Sequence, residues 1–216
     1  MVPSNYSSAN GRTLLGLLKR STELYHDRSA IASPGRDPLS YGQLLQFIIQ
    51  QASILQKAGI RRNDRIAIVL PNGPEMALSF LTVGTISTCA PLNPAYRAAE
   101  FQFYLDDLKP KAVLTLANWP CPVREVAHTS GIPVIDLCPD VNNPAGWFDL
   151  VLPDDLPLSS DTEQIDFAEP DDIALVLHTS GTTSRPKIVP LSQANLCVSA
   201  NNISSTLMLT RCGCKA

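Results

Sequence analysis

DRIAIVLPNGPE, residues 64–75, is the stretch on which the reading of the fold turns. Within it RIAIVL is apolar after its first residue, with no alternation of polar and apolar positions. A strand with one wet face would place a polar residue at every second position, so this pattern predicts a strand covered on both faces. Pro71, Asn72 and Gly73 then stop it, because proline lacks the N–H a ladder needs and Asn-Gly favours a turn. A strand buried on both sides requires layers above and below its sheet, and the flanking sequence supplies them.

Upstream, apolar periodicity predicts a helix over 13–25 and a short strand over 30–33 before the Pro34-Gly35 turn. Ser40 and Gln43 have the spacing of a capping box, and Leu45, Ile48, Ala52 and Leu55 recur at helical intervals until Gly59. Downstream the alternation repeats, with helices over 74–85, 98–108 and 123–130 and strands over 89–92, 112–116 and 133–137. Such alternation predicts an α/β fold with a largely parallel sheet and flanking helices. Phe101, Tyr104, Leu105 and Leu108 form a stripe read as core-facing.

Composition narrows the function classes. With 216 residues, 44% of them hydrophobic, the chain can bury a substantial core. A net charge of −3, with Lys19-Arg20 and Arg61-Arg62 only as isolated pairs, argues against a nucleic-acid partner, since phosphate backbones are held by clustered cations. The apolar passage MALSFLTVGTISTCAPL from Met76 is diluted by Ser, Thr and Gly, so no membrane span is expected and a buried helix running into a strand is.

Cys89, Cys121, Cys138 and Cys197 are scattered singly, and no secretory leader precedes them, which suggests thiols in a reducing compartment. Cys212 and Cys214 lack a second pair or a nearby His, and read as an incidental tail rather than a metal site. Cytoplasmic location is the expectation; the ending Cys-Lys-Ala is not a peroxisomal signal, and that compartment stays open for a complete form. Residues 140–172 hold ten Asp or Glu, four prolines and no Lys or Arg, and read as a solvated surface connection.

Residues 172–178 read as another buried strand, and the segment after it is chemically distinct. Thr179, Ser180, Thr182, Thr183 and Ser184 offer hydroxyl donors and accessible N–H groups, and Gly181 permits a backbone close to a ligand. Lys187 adds a compact positive charge shortly afterwards. These are the parts of a phosphate cradle; a Ser/Thr-rich surface turn is the alternative on composition alone. The spacing Gly-x4-Gly-Lys-Ser/Thr is absent, which argues against a P-loop kinase or NTPase. His26, His128 and His178 are too dispersed for a metal set or catalytic triad and read as surface or structural histidines, with His178 notable for preceding the loop.

TSGTTSRPK, residues 179–187, resembles the phosphate-loop signature of the adenylate-forming superfamily, which includes acyl-CoA synthetases, luciferases and peptide-synthetase adenylation domains. Ser184 and Ile188 stand where many members have Gly, and the form with a preceding His178 is similar to the branch that includes oxalate–CoA ligases. APLNPAY from Ala90, LSYGQL from Leu39 and DRIAIVLPNGPE resemble other segments of the same fold in the expected order.

The resemblance implies an incomplete AMP-binding N-terminal domain over 1–210 of an acid–CoA ligase, with Thr179, Ser180, Gly181, Thr182, Thr183, Ser184 and Lys187 holding the phosphates of ATP. Magnesium would accompany ATP, and CoA would accept an acyl group from an acyl-adenylate. No counterpart appears of the family's later adenine-, ribose- and magnesium-binding segments, or of the small C-terminal domain with its catalytic Lys. Residues 211–216, RCGCKA, read as an atypical tail, so the expectation is a truncated ligase inactive by itself; a non-catalytic nucleotide-binding or interaction module is the alternative. Ser192 is expected to cap a helix whose packed face carries Leu196, Ala200, Ile203 and Leu207.

Overall fold

The computed structural model describes residues 11–154, 156, 164–179 and 186–207. β3 (Arg65–Val69) is the middle strand of a seven-stranded sheet. The order across it is β7 (Phe148–Val151), β6 (Val134–Pro139), β5 (Ala112–Leu116), β3, β4 (Thr88–Pro91), β8 (Ile173–Thr179) and β9 (Lys187–Ser192). The run from β6 to β8 is parallel, and β7 and β9 close the two edges antiparallel.

β3 is buried on both faces, as its sequence predicts, from Ile66 to Val69. Ile66 and Ile68 point into a core that includes buried side chains of α2 (Tyr41–Lys57) and α3 (Pro74–Ile86), with Leu18 of α1 (Leu14–Tyr25) packed against it. Ala67 and Val69 enter a second core with α4 (Ala98–Leu108) and α5 (Val123–Thr129). Small apolar residues suit this strand because each face must accept a helix, and full burial of a Val or Ile side chain contributes about 1.5–3 kcal/mol.

Local signals set the helix limits. The capping box at the start of α2 is complete: Ser40 Oγ accepts from Gln43 N at 3.2 Å and Gln43 Oε1 accepts from Ser40 N at 2.9 Å. Leu44, Phe47, Ile48, Gln51, Ala52 and Leu55 form its buried face, and Gly59 leaves the helix at φ +80°, where a side chain would be strained. α3 approaches α1 so closely that a Cβ on Gly84 would lie 2.8 Å from Leu14 Cδ1.

Three strands exceed the sequence reading. Residues 36–40, read only as following a turn, form β2 (Arg36–Ser40), which pairs with β1 (Ser29–Ser33) in a separate hairpin. β9 comes after the hydroxyl-rich segment, and β7 lies inside the acidic stretch. That stretch is therefore not simply a surface connection. Ala145 and Phe148 are fully buried, and Phe148 meets Phe47 edge-on at 4.9 Å. Its charges are also partly spoken for: Arg62 Nε lies 2.8 Å from Asp172, and its Nη2 lies 2.9 Å from Glu169. Those carboxylates raise the Arg62 pKa, by accepting hydrogen bonds from its guanidinium, Asp172 first and Glu169 second.

α6 (Gln193–Thr206) begins at the expected Ser192 cap but packs through a different face. Gln193 and Cys197 are its buried residues, while Ile203 and Leu207 are 52% and 63% exposed. The reason is polar. Gln193 Oε1 accepts from Leu14 N at 3.0 Å and its Nε2 donates to Gly84 O at 2.5 Å, so one fully buried amide fixes the helix against α1 and α3.

Candidate functional site

The hydroxyl-rich segment issues from the C-terminal end of β8, on the rim where parallel α/β sheets receive ligands. Thr179 and Lys187 are register partners across β8 and β9, so the strand entering the segment and the strand leaving it are paired at its base. Both residues are exposed. Ser180, Gly181, Thr182, Thr183 and Ser184 lie outside the described residues.

A group that the sequence left apart converges beside this base. His178 Nε2 lies 3.0 Å from Asp107 Oδ2 on α4, and the histidine side chain is only 7% exposed. Its ring meets Tyr104 edge-on at 4.7 Å, and Tyr104 stacks on Tyr96 at 4.9 Å with 14° between planes. Tyr96 belongs to the turn after β4, where Asn93 Oδ1 accepts from Ala95 N at 3.0 Å in an Asx-type turn. The Tyr96 phenol pKa is pushed up to about 12, by its hydrogen bond to Tyr104 first and then by partial burial. The PLNPAY turn and the strand end at His178-Thr179, far apart in sequence, thus meet through α4.

Tyr104 departs from the core-facing stripe assigned to it: Phe101, Leu105 and Leu108 are buried, but Tyr104 is half-buried and turned to His178. Asp107 had no signal of its own, since an acidic residue near a helix end is ordinary solvent-facing material. His26 and His128 stay apart from this group; His26 pairs with the exposed Asp27 and packs against Gly42.

Among the described residues no three His, Cys, Asp or Glu side chains converge as a metal site. Cys89, Cys121, Cys138 and Cys197 are free thiols, and burial raises the pKa of Cys89, which keeps it protonated and unreactive. Cys212 and Cys214 lie outside the described residues. No helix among those described is long and apolar enough to cross a membrane.

The profile of the family described as AMP-binding enzyme matches residues 18–213. An oxalate–CoA ligase from Arabidopsis thaliana is 41% identical over 204 residues, covering 92% of this chain and 38% of that protein. A probable CoA ligase, CCL9, from Humulus lupulus is 37% identical over 214 residues, covering 94% and 38%. Among solved structures, apo MatB from Rhodopseudomonas palustris superposes with a TM-score of 0.72 at 25% identity, covering 91% of this chain and 38% of that one. The chain therefore spans about 38% of the length of these curated relatives.

Proposed function

The chain belongs to the AMP-binding enzyme family, and from that premise we propose that it carries the nucleotide-phosphate grip of an acid–CoA ligase. The observation that carries this reading is where the two ends of TSGTTSRPK, Thr179 and Lys187, lie. It starts at the end of a parallel strand, and Thr179 and Lys187 face each other at its base. Short hydroxyls, a glycine and a delayed lysine at a strand end suit the β- and γ-phosphates of ATP, whose charge grows as pyrophosphate departs.

In the complete reaction a carboxylate oxygen of the acid attacks the α-phosphorus of ATP, pyrophosphate leaves, and the CoA thiolate then displaces AMP from the acyl-adenylate. Thr179, Ser180, Gly181, Thr182, Thr183 and Ser184 serve as hydroxyl and N–H donors, and Lys187 as an electrostatic contact that neutralises the leaving pyrophosphate. Magnesium enters with ATP as part of the substrate and supplies further charge neutralisation. The likeness to an oxalate–CoA ligase across 92% of the chain favours oxalate as the acid.

These 216 residues are proposed to bind ATP without turning it over alone, because they correspond to 38% of a relative's length. Two measurements test this. Calorimetric titration should show ATP binding, and its absence would sink the grip. ATP–pyrophosphate exchange with oxalate should be undetectable, and robust exchange would refute inactivity. The same partial span favours a second reading, a nucleotide-binding module working with a separately encoded polypeptide; exchange that appears only on mixing with such a polypeptide would select it.

A further inference from the structure

We propose that His178 is a positioning residue: latched to Asp107 and Tyr104 of α4, it fixes the outer half of the β8–β9 ribbon and so places Thr179 and Lys187. The role rests on the nucleotide reading above; the latch itself rests on the geometry alone.

β8 is joined to the sheet at its inner end, where Thr88 Oγ1 also donates to Ile173 O at 2.6 Å. β3 shares four register pairs with β4 and four with β5, whereas β4 and β8 share one, Cys89 with Leu175. Beyond Leu175 the ladder partner of β8 among the described residues is β9, so the ribbon runs on as two strands. Two strands alone are marginally stable and twist more freely than a wide sheet. A cleft of about 290 Å³ bordered by Thr88, Ile173, Val176, Ile188 and Pro190 lies beside it. Val176 anchors the inner half in the core, and Leu177, one residue further, is already 39% exposed.

Beyond Val176 the tip is held by two residues, Ile188, which packs against the second core, and His178. Its imidazole is nearly enclosed, hydrogen-bonded to Asp107 at 3.0 Å and set against Tyr104 at 4.7 Å, with Tyr96 stacked behind. Ile188 is its register partner on β9, so what holds His178 also holds the strand that starts at Lys187. Small displacements of positioning groups weaken ligand alignment sharply, which makes a latch one residue from the grip consequential.

The test uses the full chain and its Asp107→Ala and Asp107→Asn variants. Asp107 is 42% exposed, so either substitution leaves the cores intact. Hydrogen exchange should quicken at least about tenfold in residues 176–179 and 187–189 of Asp107→Ala, with β3 and β5 unchanged. ATP affinity should weaken about tenfold in parallel, while Asp107→Asn, which keeps an oxygen acceptor for the imidazole, should hold both within about threefold of the parent. Unaltered exchange at the tip in Asp107→Ala overturns the latch. Quickened exchange with undiminished ATP affinity overturns the positioning role. Failure of the parent chain to bind ATP refutes the nucleotide reading instead, and exchange still decides the latch.

Discussion

β3 and the β8–β9 ribbon lie one strand apart and are held in opposite ways. β3 is paired on both edges and buried on both faces, from Ile66 to Val69. The ribbon shares one register pair with the sheet, near its inner end, and it ends in Thr179 and Lys187, both exposed. Stability and the proposed phosphate grip are therefore separated in space. A strand end that must offer N–H and hydroxyl donors to a ligand cannot also have them consumed by neighbours on every side.

The contrast is broken most directly from the stable side. Phe47 is fully buried on α2 and packs against Trp147 and Phe148 at 4.9 Å each. Phe47→Ala should destabilise the chain by about 3–5 kcal/mol, from lost burial plus the cavity left behind. Urea unfolding measures this, and a loss under about 1 kcal/mol would show that this core does not dominate. Gln193→Ala comes next, at about 2 kcal/mol, because it leaves Leu14 N and Gly84 O buried without their partner. Exchange should quicken in α6 and the start of α1 while β3 keeps its protection. Uniform loss across the sheet would mean that the two regions unfold as one.

The stable region was the legible one. RIAIVL, the capping box at Ser40 and the helical spacing along α2 are local patterns, and the structure places each as read except that Leu44 and Phe47 take the buried face in place of the half-buried Leu45. Edge strands escaped because they carry weaker patterns: β9 is interrupted by Pro190, and β7 is four residues in an acidic stretch with few periodic cues. The packed face of α6 was misassigned because a buried glutamine outweighed a stripe of apolar residues, and only its distant partners reveal that. At the candidate site, residue type and order singled out Thr179 and Lys187, and the structure pairs them across β8 and β9. Asp107, Tyr104 and Tyr96 were not grouped with them, since their meeting depends on how α4 crosses the sheet.

On the ribbon side, effects should fall on binding instead of folding. Lys187 is exposed and ends the segment that the phosphates would occupy. Lys187→Ala should change stability in urea by no more than about 0.5 kcal/mol. It should weaken ATP binding about tenfold, equivalent to about 1.4 kcal/mol, by calorimetry. Equal affinity in parent and variant would remove Lys187 from the grip.

The smallest effect gives the sharpest comparison, because one device occurs in both regions. Ser192 heads α6 as Ser40 heads α2: its Oγ accepts from Asn195 N at 3.2 Å, and Asn195 Oδ1 accepts from Ser192 N at 3.1 Å. Removing either cap costs its own helix about 1 kcal/mol. For α2, whose buried face runs from Leu44 to Leu55, the helix cannot melt without the core, so Ser40→Ala should lower global stability by that full amount. For α6, anchored by Gln193 and Cys197 with Ile203 and Leu207 in water, the loss is bounded by the free energy with which the helix is docked. Ser192→Ala should therefore leave the urea midpoint nearly unmoved and quicken exchange within α6 alone. Equal midpoint shifts for the two variants would show that α6 is as firmly part of the cooperative core as α2, and the separation between a rigid centre and a more loosely held edge that carries the proposed grip would not stand.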